Sequence, residues 1–321
     1  MIIARAPLRV SLFGGGSDLP VFLRQNRGSV LSFAINLSVF VIGHPFRHRA
    51  GLLLKYSKTE DVSEAGQLTH PIAREVFRRY SVNDFDVAVM SDVPAGSGLG
   101  SSSAFTVACL AFARAASKID STAYELAHEA AEIEINVLGE PIGRQDQWAS
   151  AYGDFNRLDF SGEAVTVQRI GISSQTKSQL ERSLFLLPVG GSRQAKTVIT
   201  SQIDQYVSDG RAEGILRKMV LLVEEGIQIL RQNIDDLGPL LNESWALKRE
   251  MASQISNETI DHAYRLGLEG GATGGKLLGA GASGYMLFYV PEPAQEKFQW
   301  RFPSAFRIQI NPIGGGVVHE S

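Results

Sequence analysis

Pro94-Ala95-Gly96-Ser97-Gly98-Leu99-Gly100-Ser101-Ser102-Ser103-Ala104 is the stretch on which the reading of this chain turns. It follows Phe85-Asp86-Val87-Ala88-Val89-Met90-Ser91, whose apolar residues mostly alternate as in a half-buried strand, and leads into Ala104 to Ser117, rich in alanine with apolar residues at helical spacing. A strand, a loop of glycine and serine, then a helix is an arrangement that holds phosphate: small residues let backbone N–H groups approach an anion, and the helix N-terminus adds positive dipole. The competing reading of Gly96, Gly98 and Gly100 is a plain tight turn. Three consecutive serines favour the anion site, because one can cap the helix while the others supply hydroxyls of the kind that hold Mg²⁺ beside a nucleotide phosphate. Two familiar glycine fingerprints do not fit. No Lys follows the last glycine, as a Walker loop requires, and Ser101 stands where a dinucleotide fingerprint has its third glycine.

The bulk properties narrow the class. With 321 residues the chain has material for one large or two medium domains and an ample core. A composition 44% hydrophobic and 20% charged reads as globular, and a net charge of −3 gives no electrostatic reason to expect nucleic acid or an anionic membrane as partner. The single cysteine, Cys109, excludes an intramolecular disulfide and the multi-cysteine zinc motifs. Met1 to Pro7 meets charge too soon for a signal peptide and no 18-residue apolar run exists, so a cytoplasmic location is expected.

Outward from the central loop, residues 2 to 13 are β-rich, broken by Pro7, and end in Gly14-Gly15-Gly16-Ser17-Asp18. That turn can present Asp18 to a hydroxylated ligand, or Asp18 can simply cap the short helix after it. Ser29 to Phe33, Asn36 to Pro45 and Gly51 to Tyr56 suggest a meander, and Gln67 to Tyr80 a helix. Ser121 to Leu138 reads as a helix capped by Ser121, its acids, Glu134 among them, mostly forming a solvated face. Gly143-Arg144-Gln145-Asp146-Gln147-Trp148 opens another helix; Asp146 can be a cap, but so many polar side chains are costly to bury without a use. A hairpin around Ser161-Gly162 precedes the polar run Gly171 to Gln179, taken as a boundary between domains 1–175 and 176–321. Beyond it, a strand runs into Gly190-Gly191-Ser192-Arg193, and Gly238-Pro239 divides a long helical pair over Ser208 to Gln254. Gly270 to Lys276 nearly matches a Walker loop, but Leu277 offers no hydroxyl and the order of flanking elements is reversed.

Together the three glycine-rich stretches resemble the motifs of the GHMP small-molecule kinases. Ala6-Pro7-Leu8-Arg9-Val10 through Asp18 is similar to the first motif, Pro94 to Ala104 to the second and Gly274 to Gly284 to the third, in the right order along almost the whole chain. The resemblance implies a two-domain α+β fold, with an N-terminal domain of the ribosomal S5 domain 2 type, a ferredoxin-like C-terminal domain, and ATP and substrate between them. It makes the backbone from Gly96 through Ser97, Gly98, Leu99, Gly100 and Ser101 to Ser102 the triphosphate cradle, flanked by Pro94 and closed by Gly281 of the third motif. Ser102 and Glu134, which stands twelve residues before Asp146, are the implied Mg²⁺ ligands. Asp146 would accept the proton of the attacking hydroxyl, with Arg9 beside it stabilising charge at the transferring phosphoryl.

The same resemblance assigns Gly15, Gly16, Ser17 and Asp18 to the sugar. Gly-Gly-Gly-Ser-Asp in the first motif is most similar to heptose 7-phosphate kinases, and Arg193 and Lys276 join the implied substrate contacts. Arg193 is the candidate anchor for a second phosphate, because a glycine turn presents backbone N–H groups and a guanidinium able to bind phosphate bidentately. The implied partners are ATP, Mg²⁺ and a small sugar phosphate, with no nucleic acid and no membrane, and a homodimer left open. A kinase of an uncharged sugar, fucokinase- or galactokinase-like, and a non-catalytic sugar and ATP sensor are the alternatives. The complete set Arg9, Ser102, Glu134 and Asp146 speaks against the sensor.

Overall fold

The computed structural model describes residues 1–190, 195–208 and 210–320. Its first sheet is built on a long antiparallel pair, β1 (Ile2–Phe13) and β2 (Arg27–Pro45), joined by β3 (Leu52–Lys55), β4 (Thr59–Val62), β5 (Phe85–Ser91), β6 (Phe155–Ser161) and β7 (Ala164–Arg169). Its second sheet comprises β8 (Leu184–Val189), β9 (Gly274–Leu277), β10 (Gly284–Tyr289) and β11 (Phe306–Arg307), and the last strand, β12 (Gly316–Glu320), returns to pair with β1. The fold is α+β with two domains.

In the first sheet the order is β12-β1-β2-β5-β3-β4, with β6 paired to β2 and β7 to β6. The two extended runs expected at 29–45 are one 19-residue strand, long enough to pair with β6 through residues 27–33 and with β5 through 39–45. Pro7 does not break β1. The register shifts between Pro7 and Arg9 instead, as expected where a strand residue lacks an N–H and the ladder bulges, which also re-aims the side chains that follow.

Against this sheet lies the helix Ser101–Ala116, whose residues Ser103 to Ala113 are all buried. Its alanines allow close approach, and Phe112 fills the space above Gly43, where a Cβ would come within 2.7 Å of the Phe112 ring. Cys109 sits in this core.

The second sheet has the order β11-β8-β10-β9, all antiparallel, which is the 4-1-3-2 arrangement of a ferredoxin-like split βαβ. β9 was not read from the sequence: Gly274 and Gly275 lie in a strand pressed so closely that a Cβ on Gly274 would stand 1.8 Å from Gly238 O. Gly238-Pro239 accordingly lies inside the helix Leu237–Glu250, and the break in the helical pair falls at Asn233, which caps the turn Ile234–Asp236.

The helix Arg211–Gln232 buries an apolar stripe of Ile215, Met219, Leu222, Val223 and Leu230, and joins the two domains. A Cβ on Gly226 would meet the Phe13 ring at 2.5 Å, and one on Gly14 would meet Val223 Cγ2 at 2.9 Å. The polar run taken as a boundary holds the helix Ser174–Ser183, capped by Ser173. Among the described residues no helix is long and apolar enough to cross a membrane.

Candidate active site

Arg9 and Asp146 stand 137 positions apart in sequence and meet in a two-pronged ion pair, Nε to Oδ1 at 2.7 Å and Nη2 to Oδ2 at 2.7 Å. The third guanidinium nitrogen, Nη1, donates to Gly98 O at 2.7 Å, and the Arg9 backbone N–H donates to Leu99 O at 3.0 Å. One buried arginine thus fixes the carboxylate and the glycine loop together. Asp146 lies in the first turn of the helix Gln145–Tyr152 and makes no capping bond there, which disposes of the capping reading.

The glycine loop alternates. Gly96, Gly98 and Gly100 all have φ near +75° (76°, 78° and 75°), a region L side chains rarely adopt. They line a cavity of about 300 Å³ together with Ser101, Ser102 and Ser103. Gly100 is the N-cap of the helix Ser101–Ala116 and supplies no side chain to it, so the N–H groups of the first turn are left for a ligand. The serines expected to cap the helix lie inside it instead.

Between the glycines the chain faces away from the cavity. Ser97 is buried, its Oγ accepting from Leu99 N at 3.4 Å, and Leu99 belongs to the core. Pro94 is exposed and outside the cavity wall. Gly281 packs against Ile255, where a Cβ would come within 2.9 Å of Cα, so the third motif reaches the cavity through Leu277, Leu278, Gly279 and Ala280 rather than through Gly281.

Glu134 departs from its expected solvated face. The helix capped by the box Thr122–Glu125, not by Ser121, runs from Ala123 to Ala131 and passes into a π-helical turn, Glu132–Val137, that rotates Glu134 inward. There Glu134 is only 1% exposed. Ser102 Oγ donates to its Oε1 at 3.0 Å and Gln147 Nε2 to its Oε2 at 2.6 Å. Burial pushes its carboxyl up to about 7, against these hydrogen bonds. A hydroxyl beside a carboxylate is a pair of hard oxygen donors that suits Mg²⁺. Among the described residues no group of three or more His, Cys, Asp or Glu could hold a metal, so an ion at Ser102 and Glu134 would complete its shell with phosphate oxygens and water.

Asp18 lies next along the wall, buried and accepting from Gly16 N at 3.2 Å, Gln145 N at 3.0 Å and Gln145 Nε2 at 3.0 Å. Burial, and to a lesser degree the charge of Asp146, raises its carboxyl above the ordinary value. It does not cap the following helix. Gly15 and Gly16 line the cavity with it, and Gly143 lets the wall close, since a Cβ there would lie 1.9 Å from Asp18 Oδ2. Ser17 is turned away: its hydroxyl donates to Ser29 O at 3.0 Å and accepts from Ser29 N at 3.1 Å, which makes it a brace between β2 and the first glycine turn.

Two lysines of the second domain face the same space. Lys276, on β9, donates to Leu12 O at 2.7 Å and to Ser244 Oγ at 3.4 Å, and burial lowers its ammonium well below the usual value. Lys248, on the helix Leu237–Glu250, donates to Leu277 O at 3.2 Å and to Gly279 O. Burial, then the charge of Arg9, pushes it down to about 7, with Asp146 opposing. Lys248 was missed in the sequence, where a lysine in an amphipathic helix reads as a surface charge. Arg193, the expected phosphate anchor, lies outside the described residues.

An ion-paired carboxylate, an uncapped helix N-terminus with three serines, and a buried carboxylate beside one of them line one cavity between two domains, an arrangement with the chemistry to take phosphate and a hydroxyl. Residues 67–154 match the model of the GHMP kinases N terminal domain, and residues 227–303 that of the GHMP kinases C terminal. The chain belongs to the GHMP kinases. It is 28% identical to a D-glycero-alpha-D-manno-heptose 7-phosphate kinase of Campylobacter jejuni, over 90% of this chain and 89% of that one. It is 24% identical to a galactokinase of Thermotoga neapolitana, over 94% and 93% of the two chains. Among solved structures, a D-glycero-D-manno-heptose 1-phosphate kinase from Bacteroides thetaiotaomicron superposes with a TM-score of 0.81 over the whole of both chains, at 22% identity.

Proposed function

We propose that the chain is an ATP- and Mg²⁺-dependent sugar kinase that phosphorylates the anomeric hydroxyl of D-glycero-D-manno-heptose 7-phosphate to the 1,7-bisphosphate, a step toward nucleotide-activated heptose. The observation that carries the reading is the Arg9–Asp146 pair, held against Gly98 at the foot of an uncapped helix. The similarity to the Campylobacter heptose 7-phosphate kinase supports this choice of sugar.

In this reading the backbone N–H groups of Ser101 to Ser103 and the loop before them take the triphosphate. Ser102 and Glu134 would hold Mg²⁺, whose bound charge would neutralise phosphate oxygens. Asp18, Gly15, Gly16 and Gln145 form the sugar side of the cavity. Among the described residues Gln145 Oε1 and Ser11 Oγ are buried there without hydrogen-bond partners, available to hydroxyl groups of the acceptor. Asp146 takes the proton of the anomeric hydroxyl as its oxygen bonds to the γ-phosphorus and the bond to the ADP leaving oxygen breaks. Arg9 holds Asp146 in position and balances the charge on the transferring group. An ATP-consumption screen over heptose 7-phosphate, fucose, galactose and mevalonate tests the reading: heptose 7-phosphate should give the highest kcat/KM, and a preference for an uncharged sugar would replace it.

A further inference from the structure

Two ammonium groups reach the cavity without a carboxylate partner. Among the described residues neither Lys248 nor Lys276 makes a salt bridge; their hydrogen bonds go to Leu277 O and Gly279 O, and to Leu12 O and Ser244 Oγ. Arg9, by contrast, has its charge met by both oxygens of Asp146. A cation deep in a protein without a counter-charge is costly, and the cost is recovered when an anionic ligand occupies the space beside it.

The two lysines are not equivalent. Lys276 is 3% exposed and spends its ammonium bracing β1 against the helix Leu237–Glu250. Lys248 is half-buried and lines the cavity. It carries three N–H donors, and two backbone oxygens account for two of them. Arg9, Asp146 and Lys276 are all near enough for their charges to act on it or to be acted on by it. The oxygens it holds belong to the segment of the third motif that abuts Gly98, so its ammonium stands at the seam between the domains, across from the uncapped helix N-terminus.

We propose that Lys248 is a catalytic residue that contacts the transferring phosphoryl group, using its remaining N–H to add positive charge beside Arg9, whose guanidinium is shared with Asp146 and Gly98. The inference rests on the kinase reading above. Phosphoryl transfer depends on fixed positive charge around the equatorial oxygens, and a charge supplied by the second domain would make transfer depend on both domains being in place.

The test separates this role from a bracing one. Lys248→Met removes charge and donors; Lys248→Gln removes the charge but keeps amide N–H groups for the Leu277 and Gly279 carbonyls; Lys248→Arg restores the charge. Affinities for ADP and for the nonhydrolysable ATP analogue AMP-PNP are measured by calorimetry with Mg²⁺, and kcat with heptose 7-phosphate. The expected result is a kcat lower by roughly 10²–10³-fold in Met and Gln, an AMP-PNP affinity lowered by roughly 10-fold or more with ADP unchanged, and partial recovery in Arg. Equal losses for ADP and AMP-PNP, or a Gln variant with both AMP-PNP affinity and kcat at the wild-type level, would overturn the proposal and leave Lys248 as a brace. If the wild type phosphorylates none of the sugars, the kinase reading of the acceptor fails, while the two nucleotide affinities still decide whether Lys248 meets the γ-phosphate.

Discussion

Gly98 and Gly279 meet face to face: a Cβ on Gly279 would stand 2.4 Å from Gly98 Cα, and one on Gly98 would stand 2.7 Å from Leu278 O. Both residues have positive φ, 78° and 72°. The glycine loop of the first domain is therefore held in shape by the third glycine stretch of the second, with no room for a side chain at the contact. Gly98→Val and Gly279→Ala should each weaken ATP binding, the first through its clash with Leu278 rather than by filling the anion's place. Titration calorimetry on the folded variants checks this, and unchanged ATP affinity in Gly98→Val would take the loop out of the nucleotide site.

Asp146→Asn keeps the shape of the side chain but loses the proton acceptor and one of the two charged contacts with Arg9. Because phosphoryl transfer is often loose and the proton can leave late, kcat should fall by about 10²–10⁴-fold rather than vanish. ATP affinity should survive. Near-normal turnover would show that Arg9 and the other cations carry the chemistry without a base.

At Gly143 the expected effect falls on the sugar alone. A methyl group there would collide with the Asp18 carboxylate, 1.9 Å away, and displace it from Gln145. Steady-state kinetics of Gly143→Ala should show the sugar KM raised by roughly 10–100-fold, the loss of a charge-assisted contact, with the ATP KM little changed. A shift confined to the ATP KM would place Asp18 on the wrong ligand.

Lys248 also makes a prediction about pH. Its folded value of about 7 lies below the ordinary 10.5, so between those limits the unfolded chain binds more protons than the folded one. Stability from this group therefore rises with pH from about 7 toward 10.5, by on the order of a few kcal/mol, and the penalty of the buried charge is fully present below 7. Thermal melts of the unliganded wild type and Lys248→Met at pH 6 and pH 9 should show the wild type gaining on the variant at the higher pH. Parallel curves would mean that Lys248 is well solvated in the cavity.

Arg193 is tested by its effect on a phosphorylated acceptor. Replacing it with Met keeps much of the apolar stem, and the KM for heptose 7-phosphate should rise by roughly 10–100-fold while that for ATP hardly moves. Equal turnover of heptose and heptose 7-phosphate by the wild type would contradict a phosphate anchor of any kind.

The parts of this site that were legible in the sequence are those where local pattern and chemistry coincide. Phe85 to Ser91 is a strand, the serines follow the glycines into a helix, and Arg9, Asp146, Ser102 and Glu134 converge on one cavity. What escaped depends on contacts distant in sequence. Glu134 was placed at the site only by the resemblance; helical periodicity puts it on an outer face, and the π-helical turn, invisible in that periodicity, brings it inside. Ser17 has the composition of a ligand contact, but its hydroxyl is taken by Ser29 across the turn. Gly274 and Gly275 look like loop glycines, yet they are strand residues kept small by the helix backbone at Gly238 and by Phe288 pressed against them. Lys248 carries no motif, and its importance comes from the 29 positions of chain that fold back to put the Leu277 carbonyl beside it.

The most direct measurement of the central claim is the phosphorus NMR spectrum of the protein incubated with ATP, Mg²⁺ and D-glycero-D-manno-heptose 7-phosphate. The account predicts a new anomeric phosphate signal, coupled to the sugar C1 proton, appearing one for one with ADP and absent over the same time with Asp146→Asn. A spectrum in which ATP yields only inorganic phosphate, or in which the 7-phosphate remains the sole sugar phosphate, would contradict it.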